Sequence, residues 1–349
     1  MNKAFRLLFV IMLLLLPYIV LSQHHHDGNE VEHLNFWDTL FGSEEEYQVC
    51  YPKDHQSFFY AIFALSLISL GMAVSIFYGF RRYNRKLKKI SALIQEKNTE
   101  MLDSIRYAQR IQNTILPTSA EFNSILPKGF VIYQPKDIVS GDFYWVHEVG
   151  HKKIIAVIDC TGHGVPGAFL SLIGSNALVR AVKEEKELSP SLIFDRMNDD
   201  VKESLNQLKA SDVMDGMEGA IVVYDMQRHI IEFSGARMNL IHVSNGQLEL
   251  IRGSKLTVGT VEEHVQGPPE SIERAISKGD SIYMYSDGVV DQFGANDRGK
   301  FKISRLKELL LEVGAMEIEQ QEQVIRTTLD QWRGNEEQID DLTMIGVRF

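Results

Sequence analysis

Cysteine is nearly absent from this chain. Cys50 and Cys160 are the only two among 349 residues, which excludes a disulfide scaffold and any cysteine-rich zinc module. Basic residues are outnumbered, with 36 Lys and Arg against 47 Asp and Glu for a formal net charge of -11. With a pI near 5.5, this is not the profile of a general nucleic-acid binder. Histidine is missing between residues 83 and 116, where a membrane-linked histidine kinase would carry one. Glycine and proline are missing from the same stretch, so nothing there interrupts a helix. Charge is missing from Phe58 to Phe80. There is no internal repeat and no low-complexity tract. The length suffices for one domain of about 200 residues or more with appendages.

The ends of these gaps mark out the chain. Lys3 and Arg6 precede an almost wholly apolar run, Leu7 to Leu21, followed by Ser22 and Gln23. Residues 1–22 read as a signal peptide or an N-terminal membrane anchor. Residues 23–56 are polar and acidic and read as a short extracytoplasmic segment. Its His24, His25, His26 and His33 form either a solvated loop or, with nearby carboxylates, a metal-sensing cluster. Cys50 is either a free thiol or a bridge to the same residue of a second copy. Residues 57–80 read as a transmembrane helix, long enough at about 1.5 Å per residue for roughly 30 Å of hydrocarbon. Arg81, Arg82, Arg85, Lys86, Lys88 and Lys89 follow directly, which places everything after them in the cytoplasm.

Residues 81–117 read as a coiled-coil signalling linker. Positions 87, 90, 94, 97, 101, 104, 108, 111 and 115 alternate by three and four and read Leu, Ile, Ile, Lys, Met, Ser, Ala, Ile and Ile. This seam predicts a parallel homodimer, weakened in the middle by Lys97 and Ser104; the alternative is one amphipathic helix packed on its own domain. Pro117 ends the run.

Residues 118–349 carry a mixed α/β pattern. Strand-like runs are Gly129 to Tyr133, Lys153 to Asp159, Ala220 to Tyr224, Ile230 to Phe233, Leu240 to Val243, Ser281 to Tyr285 and Leu342 to Val347. Helix-like runs are Pro166 to Glu184, Leu192 to Leu208, Ser304 to Leu311 and Ile318 to Trp332. Short turns such as Asp225 to Arg228 and Ser244-Asn245-Gly246 favour antiparallel pairing, with the helices outside the sheets.

Acidic residues recur at the predicted strand ends. Asp159 closes the apolar run from Ile154 and enters the glycine-rich bend Cys160-Thr161-Gly162-His163-Gly164. Asp142 lies in Ser140-Gly141-Asp142-Phe143, Asp287 follows Tyr285-Ser286, and Asp340-Asp341 precedes the final strand. Each aspartate taken alone reads better as a turn or cap residue than as a ligand. As a set they suit hard cations such as Mg²⁺ and Mn²⁺. Two such ions about 3.5–4 Å apart activate a water and hold a phosphoryl oxygen, which is phosphomonoester hydrolysis without a protein nucleophile. A cysteine-dependent phosphatase is excluded, because six positions after Cys160 stands Pro166 rather than an arginine. A diguanylate cyclase is excluded, because Gly141-Asp142-Phe143 lacks the second acid of that hairpin.

Taken in order, the motifs resemble the PPM/PP2C-type serine/threonine phosphatases of the bacterial sporulation stage II protein E and sigma-factor regulator group. The matching pieces are Ile105-Arg106-Tyr107-Ala108-Gln109-Arg110-Ile111-Gln112 with Leu116-Pro117, Ser140-Gly141-Asp142-Phe143-Tyr144, Asp159-Cys160-Thr161-Gly162-His163-Gly164-Val165-Pro166, Asp215-Gly216-Met217, Ser286-Asp287-Gly288 and Asp340-Asp341-Leu342-Thr343. They cover roughly residues 100 to 349. The resemblance implies an α/β (α+β) sandwich of two antiparallel sheets flanked by helices over residues 118–349. It implies two Mn²⁺ or Mg²⁺ ions, bridged by Asp159 and completed by the Cys160 carbonyl, Asp142, Asp287 and one of Asp340 and Asp341, with Asp340 preferred. His163 is implied either as proton donor to the leaving oxygen or as support for the ligands. Asp215 either reaches the metal centre or forms a turn. No arginine matches the phosphate-binding one of eukaryotic relatives, which leaves Lys136 as the candidate.

The expected protein is then a membrane-anchored phosphatase at the bacterial inner membrane. Its expected substrate is a phosphorylated protein of the kind exemplified by an anti-sigma-factor antagonist, and its linker is expected to act on the helices at 166–184 and 192–208. The alternative is a catalytically silent dimeric signalling adaptor with the same fold.

Overall fold

The computed structural model describes residues 55–207, 215–260, 268–296 and 298–349. The readings made on residues 1–54, including the N-terminal apolar run, the histidine cluster and Cys50, lie outside the described residues. The chain divides into two units between Ile90 and Ser91.

A continuous helix, α1 (His55–Gln112), runs through 58 residues. The lack of proline throughout this stretch leaves its hydrogen-bond ladder unbroken. Within the first unit the apolar side chains are turned outward, with Phe63 63% and Ile76 72% exposed. Two helical stretches of the described residues are long and apolar enough to cross a membrane, Tyr60–Gln112 and Gly164–Glu184; the second is largely buried within its own unit.

In the second unit α1 ends at Gln112, ahead of Pro117, so the last seam position, Ile115, falls beyond it. Pro117 instead precedes α2 (Ser119–Ile125), which opens with a capping box. There Glu121 N donates to Thr118 Oγ1 at 3.2 Å, and Thr118 N donates to the Glu121 carboxylate at 2.8 Å.

Among the described residues, ten strands form two five-stranded sheets. The first holds β1 (Gly129–Gln134), β10 (Leu342–Arg348), β9 (Ser281–Tyr285), β6 (Leu240–Ser244) and β7 (Gln247–Ile251), in that order. The second holds β2 (Phe143–Val149), β3 (Lys152–Cys160), β4 (Met217–Asp225), β5 (Ile230–Ala236) and β8 (Ile272–Ala275). All neighbouring pairs are antiparallel. The β4–β5 turn is tied by Asp225, whose Oδ1 accepts from Gln227 N and Arg228 N, each at 2.9 Å. The β6–β7 hairpin turns through Asn245 and Gly246 at φ 50° and 73°, the left-handed pair that a two-residue loop demands.

Strand alternation sorts side chains into three cores. Between the sheets, Tyr144, Val146, Ile155, Val157, Val222 and Phe233 face Leu240, Ile282, Met284, Ile345 and Val347. On the outer face of the second sheet, Phe143, Trp145, Ile154, Ala156 and Ile158 pack under α3 (Gly164–Val179) and α4 (Pro190–Gln207). On the outer face of the first, Tyr283, Tyr285 and Met344 pack under α6 (Lys302–Val313) and α7 (Ile318–Arg333), with the short α5 (Asp287–Asp291) preceding them. The result is the expected sandwich with helices outside.

The structure adds β2, β7 and β8 to the strands expected from sequence. β2 is buried on both faces for its first four residues, so it shows no alternation. β7 and β8 are edge strands of five and four residues. The helix expected at 166–184 is α3 continued by a π-helical turn, Arg180–Glu184.

Phe233 sits between the sheets at 1% exposure. Its replacement by Ala is expected to cost about 3–5 kcal/mol, read from the denaturant midpoint of the purified protein.

Candidate active site

The register of β2 on β3 pairs Phe143 with Ile158 and Tyr144 with Val157. One step further along this ladder, Asp142 stands opposite Asp159. Asp142 shares the parity of Tyr144 and Val146, and Asp159 that of Ile155 and Val157, so both belong to the face between the sheets. From the other sheet, β9 runs into Ser286 and then Asp287, and Asp340-Asp341 leads into β10. Four strand ends, two from each sheet, thus deliver the acids expected from sequence to one end of the sandwich.

Like charges and burial set the electrostatics. Burial pushes the Asp159 carboxyl well above the ordinary range, and Asp142, Asp287 and Asp340 push it further. Burial also raises Asp142, partly offset by the nearby hydroxyls of Ser286 and Thr343, and Asp341 adds to the rise. Asp287 is raised by burial, Asp340 and Asp291, with Lys300 acting against them. Asp142 and Asp287 are both acidic neighbours of Asp159. Asp142 is 1% exposed, and its Oδ2 has no hydrogen-bond partner.

The two terminal acids differ in their surroundings. Asp340 neighbours Asp287 and Asp159. Asp341, 2% exposed, fastens the loop that leads to Asp142: its Oδ1 accepts from Lys136 N and its Oδ2 from Gly141 N, both at 2.7 Å. Gly141 permits a close approach, since a Cβ there would lie 2.4 Å from the Gly162 carbonyl oxygen and 3.0 Å from that of Cys160. The Cys160 carbonyl therefore faces this loop. Its thiol lies in the outer core instead, buried, with its pKa pushed up first by burial and then by Asp159. The Asp215-Gly216-Met217 motif is tied in through Gly216, whose carbonyl accepts from Thr161 N at 2.9 Å and from Thr161 Oγ1 at 3.0 Å.

His163 lies at the rim. Its Nδ1 is 2.7 Å from Asp137 Oδ2 and its Nε2 is 2.9 Å from Lys136 Nζ. A lysine ammonium only donates, so Nε2 accepts and Nδ1 carries the proton toward Asp137. In this arrangement Nε2 has no proton to give, and the ammonium of Lys136 is the donor at the rim.

Sequence reasoning passed over Asp137, Ser286 and Thr343 as contributors. Ser286 and Thr343 stood inside quoted motifs, beside aspartates that drew the attention. Asp137 carried no signal, because its partner is 26 residues away.

Among the described residues no group of three or more His, Cys, Asp or Glu side chains is gathered closely enough to hold a metal ion as it stands. The donor set nonetheless fits a hard cation: it is all oxygen, it includes an unpartnered buried carboxylate oxygen, and its mutual repulsion is what a bound positive charge relieves.

The family model described as stage II sporulation protein E (SpoIIE) matches residues 150–349. The chain belongs to this family. Membership places it among the PPM-type serine/threonine phosphatases. The SiaA PP2C domain of Pseudomonas aeruginosa is similar at 28% identity with a TM-score of 0.65, over 72% of this chain and 98% of that one. The PP2C phosphatase domain of SpoIIE from Bacillus subtilis, solved with a fragment of its regulatory domain, shares the fold at 18% identity and a TM-score of 0.51, over 64% of this chain and 63% of that one. The RsbU and RsbW domains of Rv1364c from Mycobacterium tuberculosis share it at 15% identity and a TM-score of 0.50, over 64% of this chain and 60% of that one. No curated protein matches the chain.

The raised carboxyls have a consequence for stability. A carboxyl whose folded pKa lies above its unfolded value stabilises the fold while protonated, and that contribution is lost as pH rises through the folded value. The metal-free protein is expected to lose thermal stability between about pH 5 and about pH 8, and Mn²⁺ is expected to restore it. Asp142→Asn is expected to raise the metal-free Tm at the upper pH and to weaken the Mn²⁺ effect, both readable by calorimetry.

Proposed function

We propose that this chain is a membrane-anchored, divalent-metal-dependent phosphatase acting on phosphoserine and phosphothreonine in a protein substrate. The observation that carries the reading is the meeting of Asp142, Asp159, Asp287 and Asp340 at one end of a SpoIIE-family sandwich. These four, with the Cys160 carbonyl, would hold two Mn²⁺ or Mg²⁺ ions. When bound, such ions lower the pKa of a water and neutralise phosphoryl charge. Asp341 serves the loop rather than the ions, since both of its oxygens are engaged by backbone N–H groups. Lys136 is the group for a phosphoryl oxygen of the substrate, and Asp137 and His163 steady it. His163 then acts through Lys136, which favours support over direct proton donation.

The apolar stretch Tyr60 to Phe80, followed by six basic residues within 81–89, would be the membrane span, with the phosphatase domain on the cytoplasmic side. The seam residues Leu87, Ile90, Ile94, Met101 and Ile111 are 44–57% exposed, which supports a homodimer formed through this helix. The substrate would be a phosphorylated regulator of the anti-sigma-factor antagonist kind.

The test uses the full chain in detergent with an aryl phosphate. Turnover is expected with Mn²⁺, to be lost with chelator, and to fall to background in Asp159→Asn. A folded wild-type protein without turnover at any Mn²⁺ or Mg²⁺ concentration would favour the silent adaptor.

A further inference from the structure

Gln112 is the last residue of α1 and is 3% exposed. Its side-chain amide is fully engaged. Nε2 donates to the Ser140 carbonyl at 2.5 Å and to Ser171 Oγ at 2.9 Å, and Oε1 accepts from Ser140 N at 3.1 Å. One side chain thus pairs with both backbone groups of Ser140, as a neighbouring strand would. Ser140 is 0% exposed, so water does not offer its backbone an alternative. Its hydroxyl accepts from Asp142 N at 3.0 Å, and the next residue, Gly141, is held by Asp341. Ser171 lies on α3, the helix that leaves the Asp159 bend, and its hydroxyl donates to Ala168 O at 2.9 Å. The end of α1, the loop carrying Asp142 and the helix following Asp159 therefore meet at one amide.

We propose that Gln112 is a positioning residue for the candidate metal site, fixing the Ser140 backbone and so the Asp142 carboxylate against Asp159. This rests on the phosphatase reading above. Only a side chain with donor and acceptor at this reach serves. Glutamate keeps the acceptor and loses the donor, and asparagine falls one methylene short. Groups that orient metal ligands in this way set metal affinity, typically by about 10–100-fold.

The test measures Mn²⁺ binding to the full chain in detergent, by the electron paramagnetic resonance of free Mn²⁺, alongside turnover of an aryl phosphate. Gln112→Ala is expected to weaken Mn²⁺ binding about 10–100-fold and to raise the Mn²⁺ concentration for half-maximal turnover in parallel. KM at saturating Mn²⁺ is expected to stay within about twofold, since Gln112 does not touch substrate. Gln112→Met keeps the volume without the hydrogen bonds. It is expected to show the same loss, and it takes the place of the alanine variant if that one does not fold. A folded variant with wild-type Mn²⁺ affinity overturns the proposal. A wild-type protein that neither binds Mn²⁺ nor turns over substrate overturns the phosphatase reading first, and the proposal with it.

Discussion

Burying several carboxylates within reach of one another is the constraint on which this structure depends. Desolvation and mutual repulsion both oppose ionisation, so the cluster of Asp142, Asp159, Asp287 and Asp340 exists only because the rest of the fold holds it there. Three apolar cores supply the holding power. Because the destabilised acids stand at strand ends, the cost falls where the ladders stop rather than in their middle. The least self-satisfied part of the domain is therefore this cluster at the strand ends, and perturbed carboxyls of this kind gather where a fold receives charge.

The two sheets do not merely stack; their ends are stitched together. Asp341, just before β10 of one sheet, binds the loop entering β2 of the other. Tyr133 on β1 donates its hydroxyl to the Asp142 carbonyl at 3.2 Å, a second stitch between the same sheets. Gly288 lies so close to this junction that a Cβ would sit 2.0 Å from the Asp341 carbonyl oxygen. The positions of the carboxylates are thus fixed by backbone groups, which have fewer ways to relax than side chains.

Much of this was legible in the sequence, for reasons that can be named. β3 announced itself by a five-residue apolar run ending in Asp159, and the four acids stood at strand ends because antiparallel strands of a sandwich must stop together. The all-helical stretch before the domain was legible from its lack of glycine and proline. β2 was not, because a strand buried on both faces loses its alternation. The end of α1 was placed too late, since Pro117 forbids continuation without requiring it; the helix stops where Gln112 is claimed by Ser140. The different surroundings of Asp340 and Asp341 needed three dimensions, because adjacent identical residues differ only in what each one faces. The link between His163, Asp137 and Lys136 likewise arises from a loop brought back over the bend.

Cys160 has a consequence of a different kind. Its backbone faces the carboxylates while its thiol is turned into apolar packing and held protonated. A thiol in that state is a poor nucleophile toward peroxides, which react with exposed thiolates. Enzymes that remove phosphate with a cysteine nucleophile carry an oxidisable group at their centre. Here Cys160 directly follows Asp159, yet its sulfur is buried in the outer core, away from the solvent that carries oxidants.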